Sequence, residues 1–172
     1  MKKHKKNSFL VLSVYLIKNG FAFVLFESAL SPHDWGIKEA KKDVGHVKTI
    51  ASIEKLLAQY RPDILVIDDI GDIKMKSSVR RKRIYKSITA CATSLSIETV
   101  VVGRKAVRSA FAQFGAVTKH DIAKVIANKM EVFSSRMPDV RAAWQAEDRR
   151  MALFDAASRA LTYYYTQEQA GI

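Results

Sequence analysis

The sequence contains one cysteine, Cys91, so no internal disulfide can form. That usage fits a reducing compartment, and a cytoplasmic setting is expected. No apolar run approaches the ~20 residues of a membrane span. There is no internal repeat, no Cys/His spacing of a zinc site and no low-complexity segment. His33, His46 and His120 lack a consistent metal spacing. Acids are also scarce: 17 Asp and Glu stand against 29 Lys and Arg, a formal net charge of +12. A chain this basic points to nucleic acid first and to an anionic membrane surface second, with a merely soluble basic protein as the plain alternative.

At 172 residues and 48% apolar, the chain is expected to form a single domain, 1–172, with a full core. Residues 1–7 are rich in lysine and are followed by the apolar run Phe9 to Ile17. No small-residue cleavage site follows, so the start reads as a basic tail leading into a strand, and a signal peptide is the weaker reading.

The element around which the rest is organised is Ile64-Leu65-Val66-Ile67, followed at once by Asp68-Asp69. The apolar run reads as a strand buried on both faces. The two acids then fall at its carboxyl end, where ligands and metals collect in open α/β sheets. Before it, Phe9 to Ile17 and Phe21 to Phe26 flank the turn signal Lys18-Asn19-Gly20 and predict a hairpin. Ser31 to Asp34 reads as a break, and Trp35 to Glu39 as a third, edge strand. Ile50, Ile53, Leu56, Leu57 and Tyr60 have helical spacing, ended by Pro62. Gly71 to Ser77 reads as a loop, with Asp72 as a turn residue. Ser78 to Ser96 reads as a helix whose first turns carry Arg80, Arg81, Lys82 and Arg83. Cations there oppose the helix dipole at ~0.3–1 kcal/mol each, so a purpose other than stability is indicated.

Thr99 to Val102 is another short buried strand, and Lys105 to Phe114 a helix stopped by Gly115. Thr118 with Asp121 is a capping pair opening the next helix, and Pro138 to Gln145 is irregular. A last helix is expected from Glu147 to Tyr165. The fold class is α/β, with a mixed sheet: an antiparallel meander, then parallel strands, flanked by helices.

Two acids of the last helix join the candidate site. Asp148 and Asp155 are seven apart, which places them on one helical face ~10 Å from each other. Asp155 sits among apolar residues, where a lone carboxylate must be paired or metal-bound. Pairing to an arginine or a backbone group is the plain alternative. Asp148 equally suits a solvated helix start. Of Asp68 and Asp69, alternation allows only one to face a shared site.

This order of elements and acids resembles the ribonuclease H-like fold and, within it, the RuvC-type Holliday-junction resolvases. The resemblance covers roughly Phe9 to Tyr165. It rests on Gly20-Phe21-Ala22-Phe23, Phe26-Glu27 and Asp34-Trp35-Gly36, then Asp68-Asp69, the basic helix, Glu147-Asp148-Arg149-Arg150-Met151 and Phe154-Asp155-Ala156-Ala157. It implies a mixed five-stranded sheet, a homodimer, and acids on the first strand, the fourth strand and the last helix that together hold two Mg²⁺ or Mn²⁺ ions. Carried over, the fourth-strand acid is Asp68 with Asp69 beside it; the last-helix acid is Asp155, with Asp148 a further candidate ligand. The first-strand acid should fall near Tyr15, yet no carboxylate occurs from Met1 to Phe26. A phenol, with a reference pKa of about 10, is a poor Mg²⁺ ligand.

Two functions follow. One is a metal-dependent endonuclease of branched or structured DNA, with Asp68, Asp69 and Asp155 catalytic, and Arg80, Arg81, Lys82, Arg83, Lys74 and Lys76 holding phosphates. The other is a catalytically impaired nucleic-acid-binding protein on the same fold, favoured if Tyr15 plugs the pocket. Outside both stands a scaffold that binds no nucleic acid.

Overall fold

The computed structural model describes residues 9–41, 45–71 and 77–171, without the side chains of residues 77 and 78. Lys74, Lys76 and Asp72 therefore lie outside the described residues.

The first strand, β1 (Val11–Ile17), pairs antiparallel with β2 (Gly20–Ser28), as the turn signal predicts. β3 (Ser31–Glu39) adds to the far side of β2. It starts earlier than expected and takes in Ser31 to Asp34. Pro32 is tolerated because β3 is an edge strand, where a missing N–H breaks no ladder, and because the pairing shifts register between Leu25 and Ser28. Gly20 is required by this pairing: a Cβ there would lie 1.9 Å from the Lys38 carbonyl oxygen.

Helix α1 (Gly45–Tyr60) carries the chain to β4 (Ile64–Ile67), which lies parallel to β1. Helix α2 (Ser77–Ser94) then leads to β5 (Glu98–Val101), parallel to β4. The strand order is β3-β2-β1-β4-β5. Helix α3 (Arg104–Phe111) continues as a tighter turn to Phe114 and ends at Gly115, whose φ of 71° suits glycine. Helix α4 (Lys119–Lys129) opens on the capping box of Thr118 and Asp121. The last helix, α5, spans Met151–Gln169, four residues later at its start than expected.

Alternation along the strands divides the core in two. Leu12, Val14, Leu16, Leu65 and Ile67 pack with Ile53 and Leu57 of α1 and Ile84 and Ile88 of α2. Val11, Val24 and Val66 face the other way, onto Phe111, Ile126, Phe133, Phe154 and Leu161 of the α3–α5 layer. Side chains of this size contribute roughly 1.5–3 kcal/mol each when fully buried. Helix α5 is buried on nearly every side, as a central helix must be. Its alanines at 152, 156, 157 and 160 are buried and let it approach the sheet closely. Two charged residues, Asp155 and Arg159, are buried with them.

Candidate functional site at the tip of the fourth strand

Period-two alternation sets which face each strand residue serves. Ile64 and Val66 point to the α5 face, so Asp68 follows them there, while Asp69 takes the opposite parity. On β1 the same rule sends Val11, Ser13, Tyr15 and Ile17 toward α5. The parallel register pairs Ser13 with Val66, so two residues further along, Tyr15 runs beside Asp68. Asp155 and Arg159 are one turn apart on α5 and face this rim.

Arg159 is the centre of the arrangement. Its Nε and Nη2 both donate to Asp68 Oδ1, at 3.0 and 2.7 Å. Its Nη1 donates to the Asp155 carbonyl at 3.0 Å and lies 3.7 Å from the Asp155 carboxylate. The guanidinium also stacks over the Tyr15 ring, 4.7 Å from its centroid. Arg159 is only 4% exposed, and Asp68 and Asp155 8% each. The second cation is Lys119, the first residue of α4. Its Nζ donates to Asp155 Oδ2 at 3.1 Å and to Glu147 Oε1 at 2.8 Å. The chain of contacts thus runs Glu147, Lys119, Asp155, Arg159, Asp68, alternating in sign, with Tyr15 against the arginine.

Electrostatics follow from this packing. Burial pushes the Asp155 carboxyl above the usual carboxylate range, against the pull of Lys119 and Arg159. Burial pulls Lys119 down, but Asp155, Tyr15 and Glu147 outweigh it and the ammonium titrates above its ordinary value. The two shifts oppose each other for one ion pair, since pairing alone would lower the acid. Two cations within 3.7 Å make the charged pair the governing state, and the rise at Asp155 reflects the water it has lost. Burial, with Asp155 next, raises Tyr15, so it presents a neutral phenol.

The sequence-based candidates separate accordingly. Asp68 and Asp155 meet, both through Arg159. Asp69 does not join them: it is exposed, and its carboxylate accepts the Gly71 N–H at 2.9 Å. Asp148 precedes α5, so the shared helical face with Asp155 does not exist. Its carboxylate instead accepts from Arg150 through Nη2 at 2.7 Å and through the backbone N–H at 2.8 Å. The basic run of α2 splits around the helix. Arg80 and Arg81 line a cleft with Lys18 at the end of β1, Arg80 donating to the Lys18 carbonyl at 2.8 Å. Lys82 and Arg83 are exposed. This cleft shares the sheet rim with Asp68, but α2 lies on the face opposite α5.

Sequence reasoning missed Arg159 and Lys119. The signal for Arg159 is its spacing of four from Asp155 within an apolar stretch; for Lys119 it is its place just inside the capping box.

A two-metal centre does not fit this donor set. Among the described residues no three His, Cys, Asp or Glu side chains are grouped to hold a metal ion. Tyr15 offers a protonated oxygen where the resemblance requires an acid. Freeing Asp68 means breaking a buried ion pair, at ~3–5 kcal/mol, a penalty of roughly 10²–10⁴ on metal affinity.

No protein-family model matches the chain, and no curated protein matches it. Solved structures do. Thermus thermophilus RuvC in complex with a Holliday-junction substrate has a TM-score of 0.72 at 13% identity, covering 94% of this chain and 96% of that one. A second Thermus thermophilus RuvC structure gives 0.66 at 12% identity, over 94% and 96%. The fowlpox virus Holliday-junction resolvase gives 0.53 at 12% identity, over 91% and 99%. The chain therefore shares the RuvC-like, ribonuclease H-like fold, with an acidic rim occupied by its own arginine and lysine.

Proposed function

We propose that the protein binds branched or structured DNA through this fold and does not cleave it by a two-metal route. The observation that carries the reading is the Arg159 guanidinium on Asp68 Oδ1, at 3.0 and 2.7 Å. A cation covalently part of the chain neutralises the strand-tip acid that a divalent ion would need. The net charge of +12 and the likeness in fold to resolvases that bind Holliday junctions support DNA as the ligand. Phosphates are held at the sheet rim by Arg80, Arg81, Lys82 and Arg83, and Lys74 and Lys76, shortly before them in the sequence, are further candidates. On the α5 side of the sheet, Arg104 and Arg108 of α3 are further phosphate contacts. Both are exposed and have no ion-pair partner among the described residues, and Arg104 sits in a helix first turn, where the dipole disfavours it.

The test is a titration of a labelled four-way junction in EDTA, beside incubation with Mg²⁺ or Mn²⁺. Binding in EDTA is expected, with affinity falling steeply as salt rises, because several phosphates are neutralised. The junction should stay intact with either metal. Cleavage that the Asp155→Asn variant abolishes would restore the endonuclease reading. No affinity at low salt would refute both.

A further inference from the structure

Trp144 is 88% exposed, and Val140 on the same loop 78%. Tryptophan carries the largest apolar surface of any side chain and is highly buried on average, so a ring this exposed is a candidate contact surface. The loop around it is closed on itself. The Gln145 N–H donates to the Ala142 carbonyl at 3.0 Å, and the Ala142 N–H to Gln145 Oε1 at 2.8 Å. Arg141 Nη1 donates to the Gln145 carbonyl at 2.5 Å. These bonds bracket Trp144 and hold the ring outward with its backbone already ordered, which lowers the cost of binding.

The same loop forms one wall of a groove whose other wall includes Arg104, Lys119 and His120. The acids lining it are engaged: Glu147 with Lys119, Asp148 with Arg150, and Asp139 in the field of Arg150. Arg104 has no ion-pair partner among the described residues. An exposed aromatic ring on the loop that walls a groove carrying an arginine suits an unpaired base stacked on the ring with the strand's phosphates in the groove. A protein partner would want an apolar ring of residues around the tryptophan. Its neighbours here are Ala143, Gln145 and Arg141, with Val140 the only other large apolar side chain of the loop.

We propose that Trp144 is a stacking platform for an unpaired base, and that this loop gives the protein its preference for single-stranded or branch-point nucleotides over plain duplex. The proposal rests on the nucleic-acid reading above. It is separable from that reading because it concerns one ring and one class of substrate.

The chain has two tryptophans, and the other, Trp35, is partly buried with its ring 5.4 Å from Phe133. Exposed-tryptophan fluorescence therefore reports Trp144. Titration with a short oligodeoxythymidylate should quench that emission and shield it from iodide. Trp144→Ala should weaken oligodeoxythymidylate and four-way-junction binding by roughly 5- to 100-fold at fixed salt, and Trp144→Phe should keep most of the affinity. Duplex binding should stay within about twofold, since the phosphate contacts remain. Unchanged affinity in Trp144→Ala, or binding seen by anisotropy without quenching, overturns the proposal and leaves the nucleic-acid reading standing. Quenching that follows protein concentration instead of oligonucleotide also overturns it, in favour of self-association. No binding by any probe overturns both.

Discussion

Arg159→Met should destabilise the protein by about 3–5 kcal/mol, because it leaves Asp68 buried without a partner. For a chain of this size that is a melting-temperature loss of roughly 6–20 °C. The double variant Asp68→Asn with Arg159→Met should recover much of the loss, since removing both members of a buried pair is far cheaper than removing one. Thermal melts of the two variants check this. Near-native melting of Arg159→Met alone would show that the pair does not form. At this scale the sequence was partly legible. The apolar surroundings of Asp155 required a partner, and an arginine was one of the partners named. Which arginine was hidden, because Arg159 resembles any cation on an amphipathic helix until α5 is known to be buried all round. Alternation already allowed only one of Asp68 and Asp69 to face the site, and the structure makes it Asp68; Asp148 lies outside the cluster because α5 starts after it.

The elements themselves followed closely from apolar periodicity and turn chemistry. β4 matches its expected span, and the others differ mainly at their ends. β3 is the informative miss: even in the edge strand expected there, Pro32 reads as a breaker, because the register shift that accommodates it is not legible in sequence. The capping box was readable from Thr118 and Asp121 alone, and it has a positional consequence, since it fixes the turn that presents Lys119 to Asp155. Thr118→Ala should cost about 1 kcal/mol, a drop of roughly 2–4 °C. The backbone N–H of Thr118, with its hydroxyl and the Val117 N–H, holds the Asp121 carboxyl below the usual carboxylate range. The unfolded chain therefore binds a proton at Asp121 more readily than the native one. The stabilisation is complete above the unfolded value, about pH 4, and is lost as pH falls through the lower native value. Asp121→Asn should remove this part of the acid limb in a melting-temperature series against pH. An identical acid limb in the variant would contradict the assignment.

For the molecule as a whole, the sheet divides the chemistry between its two faces. The face under α5 carries the buried acids and the cations that neutralise them. The opposite face carries the start of α2 with Arg80 and Arg81, at the same rim. Composition made the excess of positive charge obvious, but not that the rim acids are paired from within, because that depends on residues 15, 68, 119, 155 and 159 meeting in space. On the reading proposed above, phosphates meet this rim without a divalent ion to quiet the acids beside it. The most direct measurement is the melting temperature with millimolar Mn²⁺ or Mg²⁺ against EDTA, for the native protein and for Asp155→Asn. A bound metal must raise stability by mass action. We predict no metal-dependent rise in either protein; a rise in the native protein that Asp155→Asn abolishes would contradict the account.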